Sequence, residues 1–385
     1  MRILDISYSP VASDPRVLRQ IDWLQEAGRI VDVAGLGEKP NSLKGEYYQI
    51  GVPNLAIRLC LYVFATKSYR HKTLIISQIP ETLRARVHQG YYDAIHLNDL
   101  EFVPVVNAIQ HTKNEHSTKT HFSIDLHEYF PGVKGGIFWT FFVKSFNKWL
   151  FRQLIDTNFD GYSTVSEQIV QEYVDEFDFP KMEVVWNAPK ISDCVFEFRD
   201  LSEIKLVYHG NTGRGRPVFR YINAVKRSHS PITLHFMITS GTIYRNTMRL
   251  FALINGVSQR VHFHEPVPVQ QISQKLEQYD LELVWFPPVS RSLHLSLANK
   301  FFEAVQAGLG VVIGKSPSME PLVNKFGIGA ISNGWKTRDL VEVLDSLDRE
   351  LVEKWRLNSF QNRFILSSDH SRLTFLDLVI PIEKV

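Results

Sequence analysis

Apolar and polar positions along the chain follow two rhythms. Residues 2–6 form a short apolar run that reads as a strand. Asp14-Pro15 then supplies an N-cap and a first-turn proline, and Val17, Ile21 and Leu24 recur at helical spacing. Gly28 stops that helix, and residues 30–34 resume as a strand. Strand, crossover helix and strand make a βαβ unit, which builds parallel sheets. Further apolar runs predict strands at 74–76, 94–97 and 121–124. A second series begins at 205–208 and continues through 233–238, 261–263, 281–286 and 311–313. The pattern predicts an α/β protein with two doubly wound, Rossmann-like halves. The linker falls near 187–204, where periodicity fades, and the segment from about Leu357 carries no strand of its own. The sequence shows neither an internal repeat nor a low-complexity tract.

Length agrees with two halves: 385 residues exceed one typical core and suggest two domains of roughly 180 residues each. Lys and Arg number 43 against 41 Asp and Glu, so no global field argues for nucleic acid. Cys60 and Cys194 are the only cysteines, which fits a reducing cytoplasm better than a disulfide-stapled exterior. The start, MRILDISYSP, enters a strand directly and lacks the apolar core of a signal peptide. The apolar run LAIRLCLYVFA is cut by Arg58 and falls short of the ~18 residues that a spanning helix needs. A cytoplasmic protein is therefore expected.

Candidate chemistry concentrates in residues 297–322, LANKFFEAVQAGLGVVIGKSPSMEPL. With a helix starting near Asn299, Lys300 and Glu303 share one face of its first turn, while Phe301, Phe302 and Val305 can turn toward a core. Helix amides and an ammonium favour a diphosphate, and a carboxylate can accept hydrogen bonds from two ribose hydroxyls. Gly308 ends the helix ahead of the next buried strand. A solvated Lys/Glu pair is the plainer reading of that spacing.

This segment resembles the donor-site motif of family 4 retaining glycosyltransferases of the GT-B fold, in which an Asn-Lys pair, a glutamate, an AG turn and a strand recur in this order. Ser318, Met319, Glu320 and Val323 continue the likeness. In many members a second glutamate lies eight positions before the one matching Glu303, and here that position is Leu295. Four stretches that follow strands extend the resemblance. SYSPVASDPRVLRQ is similar to the acceptor-side loop in its DPRVLR form, without the paired glycines many members carry; Asp14 fits a helix cap as well as an acceptor contact, and Arg16 either faces the cleft or lies on the helix surface. HLNDLEFVP resembles the HANDL-type segment and offers Asn98 and Asp99, the latter as N-cap or as a residue orienting the acceptor. SIDLHEYFPG resembles the DxHE form of the cleft motif, which implies that His127 contacts sugar and acceptor with Glu128 in support, against the alternative of a structural histidine. KLVYHGNTGRGRP runs from a strand into a glycine loop where Gly210, Gly213 and Gly215 let amides approach a phosphate and Arg214 or Arg216 can clamp it. Such loops also describe ordinary turns.

Two weaker signals remain. HFHEPVPVQQI resembles the segment that reads the nucleotide base, with Pro266 and Val267 as its floor, or is simply a proline-bearing loop. GVKGGIFWTFFVKSFNKWLFR, residues 132–152, mixes large aromatics with Lys134, Lys144, Lys148 and Arg152, and reads as core or as a contact with an anionic membrane surface. The sequence contains no HExxH, CxxC pair or EF-hand spacing, so a tightly bound metal is not implied.

The resemblance implies a GT-B fold with two Rossmann-like domains facing across a cleft: residues 1–188 for the acceptor, 189–356 for the donor, and 357–385 crossing back to the first domain. It further implies a retaining transferase, independent of metal and cofactor, moving a sugar from a UDP- or GDP-linked donor to a glycan, lipid-linked or small-molecule acceptor. A nucleotide-sugar epimerase on the same fold and a catalytically inactive nucleotide-sugar-binding subunit are the alternatives.

Overall fold

A computed structural model describes residues 1–111, 120–199, 202–213 and 216–381. The chain forms two compact units, one of residues 1–185 with the segment from Ser371 onward, the other Trp186–His370.

The first unit is built on β1 (Arg2–Pro10), β2 (Ile30–Leu36), β3 (Tyr47–Gln49), β4 (Ala94–Leu97), β5 (His121–Asp125), β6 (Gly161–Thr164) and β7 (Glu183–Val184). All pairs are parallel, in the order β3-β2-β1-β4-β5-β6-β7. Val17, Ile21 and Leu24 of the helix Pro15–Glu26 are wholly buried with Ile3, Val31 and Val33, as their helical spacing predicts. Phe375 and Val379, from the last helix, join the same core.

The second unit repeats the plan with β8 (Ile204–Gly210), β9 (Ile232–Ile238), β10 (Val261–His264), β11 (Leu281–Val284), β12 (Gly310–Ile313) and β13 (Gly329–Ile331), all parallel in the order β10-β9-β8-β11-β12-β13. In each sheet the winding reverses once, between β1 and β4 and between β8 and β11, and ligands of doubly wound folds bind beyond the strand ends at such points.

Three sequence expectations change. Residues 74–76 are not a strand: Leu74 ends the helix Lys67–Leu74, whose start is capped by Thr66, and Ile76–Gln78 is a 3-10 turn. Four short strands, β3, β6, β7 and β13, carry no apolar run that distinguishes them from loops. The chain returns to the first unit at Ser371 and not near 357, because residues 357–370 are tied to the second: Gln306 Nε2 donates to the carbonyls of Arg363 (2.6 Å) and Leu366 (3.1 Å), and Ser368 N donates to Pro189 O (2.8 Å). Among the described residues no helix is long and apolar enough to cross a membrane.

Candidate active site

The helix Asn299–Gln306 starts where the sequence places it, anchored by Phe301, Phe302 and Val305, all fully buried. Its opposite side carries Lys300 and Glu303 to the carboxyl end of β8. Lys300 Nζ is enclosed without a hydrogen-bond partner, 3.9 Å from the centroid of the Tyr208 ring. Burial pulls its pKa down to about 8, Glu282 partly opposing and Arg216 adding to the fall. Gly210, at φ +84°, makes room for it: a Cβ there would lie 3.2 Å from Nζ. Arg216 lies with its guanidinium carbon 3.8 Å from the centroid of the Phe286 ring just after β11, and its Nη1 is also buried without a partner. The Arg216 amide donates to Gly213 O (3.1 Å). Arg214 and Gly215 lie outside the described residues.

His209 was not singled out by the sequence, yet it organises the carboxylates. Its Nδ1 meets Glu282 (3.0 Å) and its Nε2 meets Glu303 (2.8 Å). Burial alone would lower its pKa, but the two carboxylates overcome burial and hold it at about 9, so the ring is cationic at neutral pH. One oxygen of Glu303 is thus committed to His209, which leaves the other for a ligand. Three cations, His209, Lys300 and Arg216, stand against two carboxylates, and both carboxylates bond the histidine. Lys300 and Arg216 are left enclosed, and Nζ and Nη1 need acceptors: the requirement of a polyoxyanion such as a diphosphate. His209 and Glu282 had a legible signal, polar residues inside apolar strand runs (IKLVYHG, LELV).

Pro266 and Val267 follow β10, two strands away from β8, in the loop where Glu265 pairs with Arg245 (2.5 Å). Pro266 is exposed and Val267 half-buried. Leu295 is buried, and its carbonyl accepts from Ser318 Oγ (2.6 Å).

In the first unit the acceptor-side candidates do gather. Asp14 caps its helix, accepting from Arg16 N (3.1 Å) and Ser9 Oγ (2.8 Å). Arg16 is not on the helix surface: its buried guanidinium sits 3.5 Å from Asp125 and 3.6 Å from Asp14. Asn98 donates to Asp5 (2.6 Å), whose carboxyl is driven up to about 8 by burial, with Arg16 opposing. Asp99 makes no side-chain cap; its carboxylate receives Ser7 Oγ (2.9 Å) and Tyr8 N (2.7 Å), tying the end of β4 to β1. His127 is half-buried on the Phe130 ring, with Nδ1 enclosed and unpartnered. Burial and then Arg16 lower its pKa well below the ordinary value against a bond to the Asn98 backbone, so the ring is neutral. Glu128 projects outward while its carbonyl accepts from Tyr173 (2.8 Å). Glu101, which no motif singles out, is raised to about 7 by burial and Asp99. A cavity of about 530 Å³ in this unit, lined by Ile79, Leu83, Leu97, Phe102 and Trp149 among others, includes none of these acceptor-side residues. No group of three or more His, Cys, Asp or Glu among the described residues is arranged to hold a metal.

No protein-family model and no curated protein matches the chain. Solved structures do. Sucrose-phosphate synthase from Thermosynechococcus elongatus is 14% identical with a TM-score of 0.70, covering 97% of this chain and 96% of that one. HepE of Anabaena, in complex with UDP and glucose, is 14% identical with a TM-score of 0.69 and covers 98% of both chains. WaaG, a glycosyltransferase involved in lipopolysaccharide biosynthesis, is 13% identical with a TM-score of 0.67, covering 97% of this chain and all of that one. At these identities the likeness is one of fold, and the fold is GT-B.

Proposed function

We propose that this GT-B chain is a glycosyltransferase, similar to retaining family 4 members, that moves a sugar from a nucleotide-diphosphate sugar to an acceptor hydroxyl. The observation that carries this reading is the pair of enclosed cationic nitrogens without acceptors, Lys300 Nζ and Arg216 Nη1, at the winding reversal of the second unit. A leaving diphosphate gains charge in the transition state, so fixed cations aimed at it lower the barrier. With Lys300, Arg216 and helix amides balancing that charge, the reaction proceeds without metal or cofactor. In a retaining transfer the leaving diphosphate accepts the acceptor proton, and no protein nucleophile is needed. The solution of HepE with UDP and glucose supports a UDP-linked donor, with a GDP-linked donor as the other base to test. Glu303, through its second oxygen, and Pro266 and Val267 are assigned to the nucleoside.

The acceptor side falls to the first unit: His127 as hydrogen-bond partner of sugar and acceptor, Glu128 in support, and Asn98, Asp99, Asp14 and Arg16 shaping the strand ends. The acceptor is a glycan, a lipid-linked saccharide or a small molecule, met in the cytoplasm at the membrane surface through residues 132–152. Incubation with UDP- and GDP-hexoses, with and without acceptors and in the presence of chelator, tests the reading. Consumption of donor that depends on acceptor, with the anomeric configuration kept, is the expected result. Conversion of donor without acceptor would identify an epimerase. Binding without any turnover would identify the inactive subunit, the reading that buried Leu295 favours by removing one carboxylate from the sugar.

A further inference from the structure

The helix Leu55–Phe64, LAIRLCLYVF, buries none of its residues. Leu55 is 67% exposed and Phe64 85%, while Ile137 (81%) and Phe141 (73%) stand out from the neighbouring segment. These are not loose ends. Asn54 caps the helix, its side chain accepting from Ile57 N (2.9 Å). At the other end buried Arg70 collects the carbonyls of Leu61 (3.1 Å), Tyr62 (2.8 Å) and Ala65 (3.3 Å), and also reaches Phe142 O (3.3 Å). Tyr62 packs edge-on against Phe138 (6.3 Å) and Phe146 (6.1 Å), so both exposed segments form one fixed face of the first unit. Contiguous exposed apolar surface on this scale marks an interaction site.

Charge identifies what meets it. Residues 51–80 and 129–155 contain no Asp or Glu in a chain whose charges otherwise nearly balance. Arg58, Lys67, Lys72, Lys134, Lys144, Lys148 and Arg152 in these segments are all exposed. Two copies of a face bearing only cations would repel each other. An anionic bilayer instead attracts the cations to its headgroups and takes the apolar side chains into the acyl boundary. We infer that the helix Leu55–Phe64, together with the Ile137 and Phe141 side chains, is a membrane-inserting face selective for anionic lipid. The inference deepens the membrane contact proposed above for residues 132–152 and does not require the transfer reaction.

Flotation of the full chain with phosphatidylcholine vesicles, alone or mixed with phosphatidylglycerol, tests it. The protein should float only with the anionic vesicles and be released by salt. The Phe64→Ser/Phe141→Ser variant should lose roughly tenfold in partitioning, and Lys67→Glu/Lys144→Glu roughly fivefold per cation. Because all four side chains are exposed, melting temperature and nucleotide affinity should not move in either variant. Absence of the wild type from anionic vesicles, equal flotation of both variants, or conversion of a dimer to a monomer by the serine variant would overturn the inference.

Discussion

Lys300 owes its place to Gly210, since any side chain at position 210 would have to adopt positive φ and would crowd the ammonium. Gly210→Ala should therefore weaken nucleotide binding by at least tenfold with only modest loss of stability; unchanged affinity in calorimetry would mean that the ammonium is not needed there. His127 is a different test. As a hydrogen-bond partner of sugar and acceptor, its replacement by Ala should reduce transfer strongly while leaving nucleoside diphosphate affinity nearly intact. A purely structural histidine makes the opposite forecast, a melting temperature several degrees lower with both activities reduced together. Retained transfer in a stably folded variant would remove His127 from the site.

At the scale of elements, the sequence was legible where apolar runs and punctuation coincide. The β1 to β2 unit, with its Asp14-Pro15 start and Gly28 stop, and the helix Asn299–Gln306 both lie where spacing put them. Lys300 was legible as a cation on a helix start, and Arg216 as one of two loop arginines. The pairing of Glu303 with His209 was not, because it joins residues 94 positions apart whose only local sign is a histidine ending an apolar strand. Arg16 could not be placed either, since the carboxylate that fixes it, Asp125, comes 109 positions later. Residues 132–152, whose aromatics and cations fit a core as well as an anionic membrane surface, bury Phe146 and Leu150 and turn Ile137 and Phe141 outward, a division that the run of aromatics does not show locally.

For the molecule as a whole, the buried titrating groups give stability a pH signature. His209, held at about 9 against a reference of 6.5, contributes stability that is full below pH 6.5 and lost as pH rises toward 9. Asp5, raised from 3.8 to about 8, likewise contributes stability that is full at low pH and lost on the way up to 8. Lys300, lowered from 10.5 to about 8, works in the other direction only above pH 8, so the decline is steepest between pH 6.5 and 8. Each group contributes at most about 2 kcal/mol across that window. Thermal melting at pH 6.5 and pH 8 should show the decline, and Asp5→Asn should lessen it in the transition of the first unit. A flat profile would show that these groups ionise as they do in the unfolded chain.

The central claim is that a nucleoside diphosphate binds in the second unit against Lys300 and Arg216, and titration calorimetry of UDP and GDP into wild type and Lys300→Ala tests it most directly. One equivalent should bind to the wild type. Near pH 8 binding should take up about half a proton per equivalent, because the diphosphate raises a lysine that is half-deprotonated in the free site. Loss of one charge-assisted contact, roughly 1.5 to 3 kcal/mol, should weaken Lys300→Ala by one to two decades and abolish the proton uptake. Binding of neither diphosphate, or equal affinity and equal proton uptake in the variant, would contradict the account.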